Sequence, residues 1–414
     1  IRGMSGPRVK ILKNGVVNRD VSGLGVDHLN DVDLNDISQV EIVKGPSSLL
    51  YANGTIGGII NVVDDLISSK NFELPEVAVG YESQSVNDGN SEFVNLKGNL
   101  GGFNVNFGYK NTDFGNYDVP SGAVIHSEDE HHDEEHEMEY YSRSDNNTSL
   151  SMSLSNEITD SLSFTLGISN VERTPSAIEL FMNGAHMATG RYEVGDVNLT
   201  SEVSNNVDFS LDYERDGMFA KASFYANTVD NYIYLMDETE EDHEEHEDED
   251  HEDHHGDMIL ANYLQQDAEF TGNEIVVGRT MDLGNGNLTV SLGRDSVTGK
   301  FNADSAEESY VPRMTPVRTF FDVDYDSPDY SAGVSFKDVK SQYKTAIGET
   351  ATDGFLLVDM NVAKEFALSQ DVGMTVSFFA KNLMDERARN HTSFVKNQVP
   401  LAGRNIGFKF NITF

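Results

Sequence analysis

The stretch NIGFKFNITF, residues 405–414, decides the fold. Ile406, Phe408, Phe410, Ile412 and Phe414 fall on one face, and Asn405, Gly407, Lys409, Asn411 and Thr413 on the other. A period of two is what a β-strand with one apolar face requires. The same alternation recurs in Leu150, Met152 and Leu154, in Leu162, Phe164, Leu166 and Ile168, and in Val207, Phe209, Leu211 and Tyr213. It returns in Leu288, Val290 and Leu292 and in Val372, Met374, Val376 and Phe378, while helical periodicity is nearly absent. The chain from residue 76 to 414 therefore reads as all-β.

Outward from that strand, the pattern predicts about fourteen strands. They lie near 76–84, 91–100, 102–112, 144–156, 161–172, 199–214, 217–235, 258–280, 286–299, 314–326, 329–342, 354–368, 371–383 and 403–414. Tight turns at Gly101-Gly102, 156–160, 214–217, 282–286, 326–329 and 367–371 alternate with long loops at 113–143, 173–198, 236–257, 300–313, 342–353 and 384–402. Short turns at one end and long loops at the other are the pattern of a transmembrane antiparallel β-barrel, whose strands cross with roughly ten alternating residues. A soluble sandwich has no reason to sort its connections this way. No run of about 18 apolar residues exists, so a membrane helix is not expected.

Two of the long loops carry tracts of histidine and carboxylate, HSEDEHHDEEHEME at 126–139 and DETEEDHEEHEDEDHEDHHGD at 237–257. They hold nine of the twelve histidines: His126, His131, His132, His136, His243, His246, His251, His254 and His255. They also hold 22 of the 70 acidic residues, which accounts for much of the net charge of −41. That charge argues against nucleic acid as a partner, since binding needs a basic face. Like charges at this density repel, so both tracts are expected to be extended unless cations neutralise them. Imidazole, neutral at pH 7 with an ordinary pKa of about 6.5, and carboxylate together suit borderline divalent metals such as zinc. A loop that only repels, or holds ions loosely, would need no histidine. Strand parity places both tracts on the same, outer, face.

There are no cysteines, which removes disulfides and thiolate chemistry together. No nucleophile elbow or His-Glu-x-x-His spacing occurs, so an enzyme is not expected. The chain starts at Ile1 without a signal peptide, which implies processing, trimming or an incomplete sequence. Residues 1–75 differ from the rest: Val40, Ile42 and Val43 predict a strand entering a Gly-Pro turn, and Ile59, Ile60, Val62 and Val63 the strand leaving it. A phosphate-binding loop is not expected there, because no Gly-Lys-Ser/Thr follows and no helix of suitable length opens.

The segment VEIVKGPSSLLYANGTIGGIINVV at 40–63 resembles the plug signature of TonB-dependent outer-membrane receptors, through Gly45, Pro46, Ser47, Leu50, Tyr51, Gly54, Gly57, Gly58, Ile60 and Asn61. FFAKNLMDERARNH at 378–391 resembles the family's penultimate strand and loop, and Phe414 its terminal aromatic. The resemblance implies residues 1–75 as the C-terminal part of a plug and 76–414 as the barrel. It also implies a monomer in the lipid of the Gram-negative outer membrane, with the TonB energy-transducing complex as partner. Such receptors have 22 strands, so about eight are expected to be missing near Tyr141–Ser144, together with the N-terminal part of the plug. A fourteen-strand barrel is too narrow for a plug of this kind, since diameter grows with strand number.

Within the family, residues 173–214 and SGLGVDHLNDVD at 22–33 are similar to the zinc-uptake receptors. That similarity implies Asp27 and His28 at the plug apex and His186 in a barrel loop as zinc ligands, with Asn183 where the subgroup has a further histidine. Glu179 and His391 are additional candidates. Met182 and Met187 flank the same loop and suggest copper, but the tracts hold only Met138 at one margin, so copper is the weaker choice. The expectation is import of a divalent metal ion, zinc first. The alternatives are a haem or siderophore receptor of the same architecture, or a surface metal-binding β-barrel that transports nothing.

Overall fold

The structure, a computed structural model, describes residues 1–4, 8–17, 37–44, 48, 55, 57–64, 75–100, 103–113, 120–121, 147–238, 258–302, 310–369 and 372–413. Its N-terminal part is a small mixed sheet of β1 (Val9–Lys13), β2 (Val16–Val17), β3 (Ile37–Val43) and β4 (Gly58–Asp64), in the order β2-β1-β4-β3. β1 and β2 form a hairpin around Asn14 and Gly15, both at positive φ (52° and 80°), the backbone a two-residue type I′ turn demands. β1 runs parallel to β4, and β3 pairs antiparallel on the other side of it.

The large sheet contains β5 (Glu76–Gln84), β6 (Gly89–Leu100), β7 (Phe103–Asp113), β8 (Leu150–Thr159), β9 (Leu162–Arg173), β12 (Glu202–Arg215), β13 (Met218–Asp237), β14 (Ile259–Leu283), β15 (Gly286–Phe301), β16 (Arg318–Asp326), β17 (Tyr330–Val339), β18 (Phe355–Ala367), β19 (Gly373–Lys381) and β20 (Asn405–Thr413). The alternation predicts all fourteen; neighbour pairs with neighbour, and β20 returns to pair with β5. β8, however, starts at Leu150, not near 144, and runs through the turn expected at 156–160, because Asn156, Glu157 and Thr159 pair with β9. β16 starts at Arg318, not near 314. The Ile406-to-Ile412 row of β20 registers with Phe378 and Met374 of β19 on one side and with Ser83, Tyr81 and Val79 of β5 on the other.

The loop expected at 173–198 has structure of its own: a short helix α1 (Ala177–Phe181) and the hairpin β10 (Asn183–His186) and β11 (Arg191–Val194). α1 is set by a capping box, in which Ser176 and Glu179 each accept from the other's backbone N–H. β11 then pairs parallel with the outer end of β14. β14 has 25 residues, more than twice what a tilted strand needs to cross a bilayer, so its end can carry that hairpin above the membrane.

Among the described residues, the larger buried apolar cluster lies where the N-terminal part packs on the barrel. Met4 is buried with Val171, Val229, Tyr232, Phe270, Phe301, Val311 and Met314 of the barrel wall, and Val9 lies against this cluster. Basic residues of the same part meet acids of the wall: Arg2 pairs with Asp208, Arg8 with Glu202, and Lys44 with Glu274 at 2.6 Å. Among the described residues β7 pairs only with β6 and β8 only with β9, so the sheet is open between β7 and β8. Fourteen strands and an occupied lumen compete, because a cylinder of so few strands is narrow. Here the lumen stays occupied and the seam stays open, at the stretch where the sequence leads one to expect missing strands.

Candidate metal-entry site

β13, β14, β11 and β10 form a continuous ribbon at the long-loop end. Asp237 stands opposite Ala261, Ala261 opposite Glu193, and Glu193 opposite Gly184. At a strand spacing of about 4.8 Å, the ribbon sets the root of the second His/acid tract roughly 15 Å from β10, which carries His186. The tract was expected to be loop from residue 236, yet Met236 and Asp237 still belong to β13, because their backbone pairs with Asn262 and Ala261.

Arginines hold this region. Arg191 donates from Nε and Nη2 to the two carboxylate oxygens of Asp237 at 3.1 and 2.8 Å, and from Nη1 to the carbonyl oxygens of Thr189 and Phe394. Arg313 donates to Asp237 at 3.2 Å and stacks its guanidinium 3.5 Å from the Phe394 ring centre. Below them, Arg173 pairs with both Glu179, at 2.8 Å, and Glu202, at 2.7 Å, and Arg8 reaches the same Glu202 while stacking on Tyr232 at 4.1 Å. Four charges are buried there, compensated among themselves and by the backbone of Ile233. Such a cluster is costly to disrupt one member at a time.

His186 sits at the end of β10 with its Nδ1 2.8 Å from Glu193 Oε1. The hydroxyls of Thr189 and Tyr263 donate to the same carboxylate at 2.7 and 3.3 Å. Gly195 lets the chain turn back beneath α1: an added Cβ there would lie 2.7 Å from the carbonyl carbon of Leu180. His391, by contrast, is wholly buried, with Nδ1 2.7 Å from Thr352 Oγ1 and Nε2 3.0 Å from Glu349 Oε1.

The sequence-derived candidates divide as follows. Asp27, His28, His126, His131, His132, His136, His243, His246, His251, His254 and His255 lie outside the described residues. His186 is at the long-loop end, on the ribbon that also carries the tract's root. Glu179 is committed to Arg173 and to the N-terminus of α1, and His391 to a clamp between two loops. Met182 caps the C-terminus of α1 and Met187 is exposed. Among the described residues, no group of three or more His, Asp and Glu is arranged to hold a metal. Glu193 and Tyr263 are contributors that the sequence does not reveal, since β11 is too short to show a period; the Ser176-x-x-Glu179 capping box is a signal that could have exposed α1.

Residues 36–383 match the family described as "TonB dependent receptor-like, beta-barrel", and residues 1–59 the "TonB-dependent Receptor Plug Domain". A vitamin B12 transporter, BtuB of Vibrio vulnificus, is 30% identical over 114 residues, which are 27% of this chain and only 18% of that protein. Among solved structures, the copper transporter OprC superposes with a TM-score of 0.74 at 15% identity, covering 100% of this chain and 92% of that one. The siderophore receptor PirA of Acinetobacter baumannii gives 0.65 at 13% identity, with 100% and 92% covered. At such identities these structures speak to the fold alone. With its plug sheet, its lumen-facing ion pairs and a barrel match over most of its length, the chain belongs to the TonB-dependent receptor family, β-barrel receptors of the Gram-negative outer membrane.

Proposed function

We propose that this receptor captures a divalent metal ion, zinc in the first place, and imports it with TonB as the energy source. The observation that carries the reading is the β13–β14–β11–β10 ribbon, which joins the root of one His/acid tract to the hairpin that bears His186. Tract histidines and carboxylates raise the local metal concentration by valence and by field, and His186, with Asp27 and His28, receives the ion from them. Protonation of histidine competes with binding and assists release inward. The acid-rich mouth disfavours anionic ferric chelates.

Purified receptor would be titrated calorimetrically with zinc, copper, haem and a ferric siderophore, in wild type and in His186→Ala. Zinc binding at several sites, with the tightest lost in the variant, supports the reading. Tight binding of haem or the siderophore with only loose, His186-independent zinc would replace it with one of the other receptor classes.

A further inference from the structure

The pair formed by His186 and Glu193 has a directional chemistry. Glu193 is buried (1% exposed), and a carboxylate only accepts hydrogen bonds. With Nδ1 of His186 2.8 Å from its Oε1, the proton of that contact must sit on the imidazole. An imidazole tautomer is normally ambiguous when the partner can both donate and accept. Here the partner removes the ambiguity. The arrangement is also built: His186 registers with Arg191 across the β10–β11 hairpin, so Glu193, two residues further along β11, lies diagonally across on the same face. Thr189, in the connecting turn, and Tyr263, on β14, hold the carboxylate from two further sides. The arginines nearby are engaged elsewhere, Arg173 with Glu179 and Glu202, and Arg191 and Arg313 with Asp237.

We propose that Glu193 is a positioning residue that holds His186 in its Nδ1–H form and so makes Nε2 the nitrogen that coordinates the incoming divalent metal. This rests on the metal-receptor reading above. A carboxylate behind a ligating histidine fixes the ring's orientation and raises its basicity, and losing it typically costs roughly 10- to 100-fold in metal affinity. Tyr263 and Thr189 act one step further back, keeping the carboxylate itself from turning.

The test uses full-length receptor labelled with nitrogen-15 histidine, in detergent micelles, with His186→Gln to assign the His186 signals. Two-bond proton–nitrogen spectra read the tautomer directly, and zinc chloride alone is the probe. The expected result is an Nδ1–H ring before zinc and a shift at His186 Nε2 on adding it. Glu193→Gln, whose amide can donate to Nδ1, is expected to move the proton to Nε2 and weaken zinc binding at His186 roughly 10- to 100-fold. An Nε2–H ring in the wild type, or a Glu193→Gln variant with unchanged tautomer and affinity, overturns the proposal while leaving His186 as a ligand by another route. An Nδ1–H ring that zinc never perturbs overturns the metal reading at this site, and the positioning role with it. The wild-type tautomer needs no variant, so a misfolded Glu193→Gln protein does not block the test.

Discussion

Arg191 clamps Asp237 through both carboxylate oxygens, and Asp237 is at once the last residue of β13 and the first of the second His/acid tract. The clamp therefore fixes where the tract leaves the barrel relative to the hairpin that carries His186. Both partners are largely buried, and Arg313 supplies the carboxylate with a second cation at 3.2 Å. Replacing Arg191 by Ala leaves Asp237 half compensated, and the expected cost is about 2 kcal/mol, below that of stripping a buried charge bare. Hydrogen exchange should then rise in residues 183–194 more than in β12 or β15. Unchanged protection of the hairpin would show that its strand pairing alone holds it.

Arg8 is the N-terminal sheet's deepest tie to the wall, since it donates to Glu202 and to the carbonyl oxygen of Ile233 and lies on the Tyr232 ring. Arg8→Ala leaves Glu202 with Arg173 and the Ile233 N–H, so the barrel is expected to stay folded. The loss, roughly 3 kcal/mol, should fall on the plug. In urea, protease cleavage within residues 1–64 should appear at lower denaturant than in wild type, with the barrel transition unmoved. A coincident shift of both transitions would mean that the two parts unfold as one.

How much of this was legible follows from strand length. Strands of nine or more residues with one lipid-facing row show their period plainly, so β5 is expected at 76–84 and found there, and β18 and β20 differ by a residue or two at their ends. β10 and β11, with four residues each, are too short to display any period, and they are held by pairing with β14 instead. β1 and β2 carry an Asn14-Gly15 turn signal, which local chemistry makes readable once two flanking strands are sought. For the site, the family likeness picks out His186, but Glu193 looks like any surface acid until the hairpin folds it inward. The buried position of Glu202 depends on Arg8 and Ile233, which come from distant segments, and no local pattern encodes those contacts.

The outer loops carry a built-in acid sensitivity. Burial pushes the Glu349 carboxyl up, but His391, by hydrogen bond and charge, and the N–H groups of Ala346 and Arg313 more than reverse this, leaving it below the ordinary carboxylate value of 4.5. Lys396 also faces it, at 4.0 Å, its ammonium disfavoured by burial. Because the folded carboxyl titrates lower than the unfolded one, acidification protonates the unfolded chain first. The stabilisation is complete above the unfolded value and is lost as pH falls through the folded one. Thermal melts below about pH 4.5 should therefore fall more steeply for wild type than for Glu349→Gln. Parallel pH profiles of the two proteins would remove Glu349 from the account.

β8 is exposed along all ten residues, and its only described partner is β9, while β7 has only β6. Backbone groups without a strand beside them have to find water, since lipid offers no hydrogen bond and each unsatisfied group there costs several kcal/mol. The seam is therefore expected to be the wet side of this barrel and its least protected part. Hydrogen exchange should be at least about tenfold faster over residues 150–159 than over β13 and β14, which are paired on both sides. Protection of 150–159 equal to that of β13 would mean the edge is covered in the membrane, by closure onto β7 or by further strands. Cysteines placed at Met152 and Tyr109 would then separate the two, since a disulfide forms only if β7 and β8 come within about 7 Å.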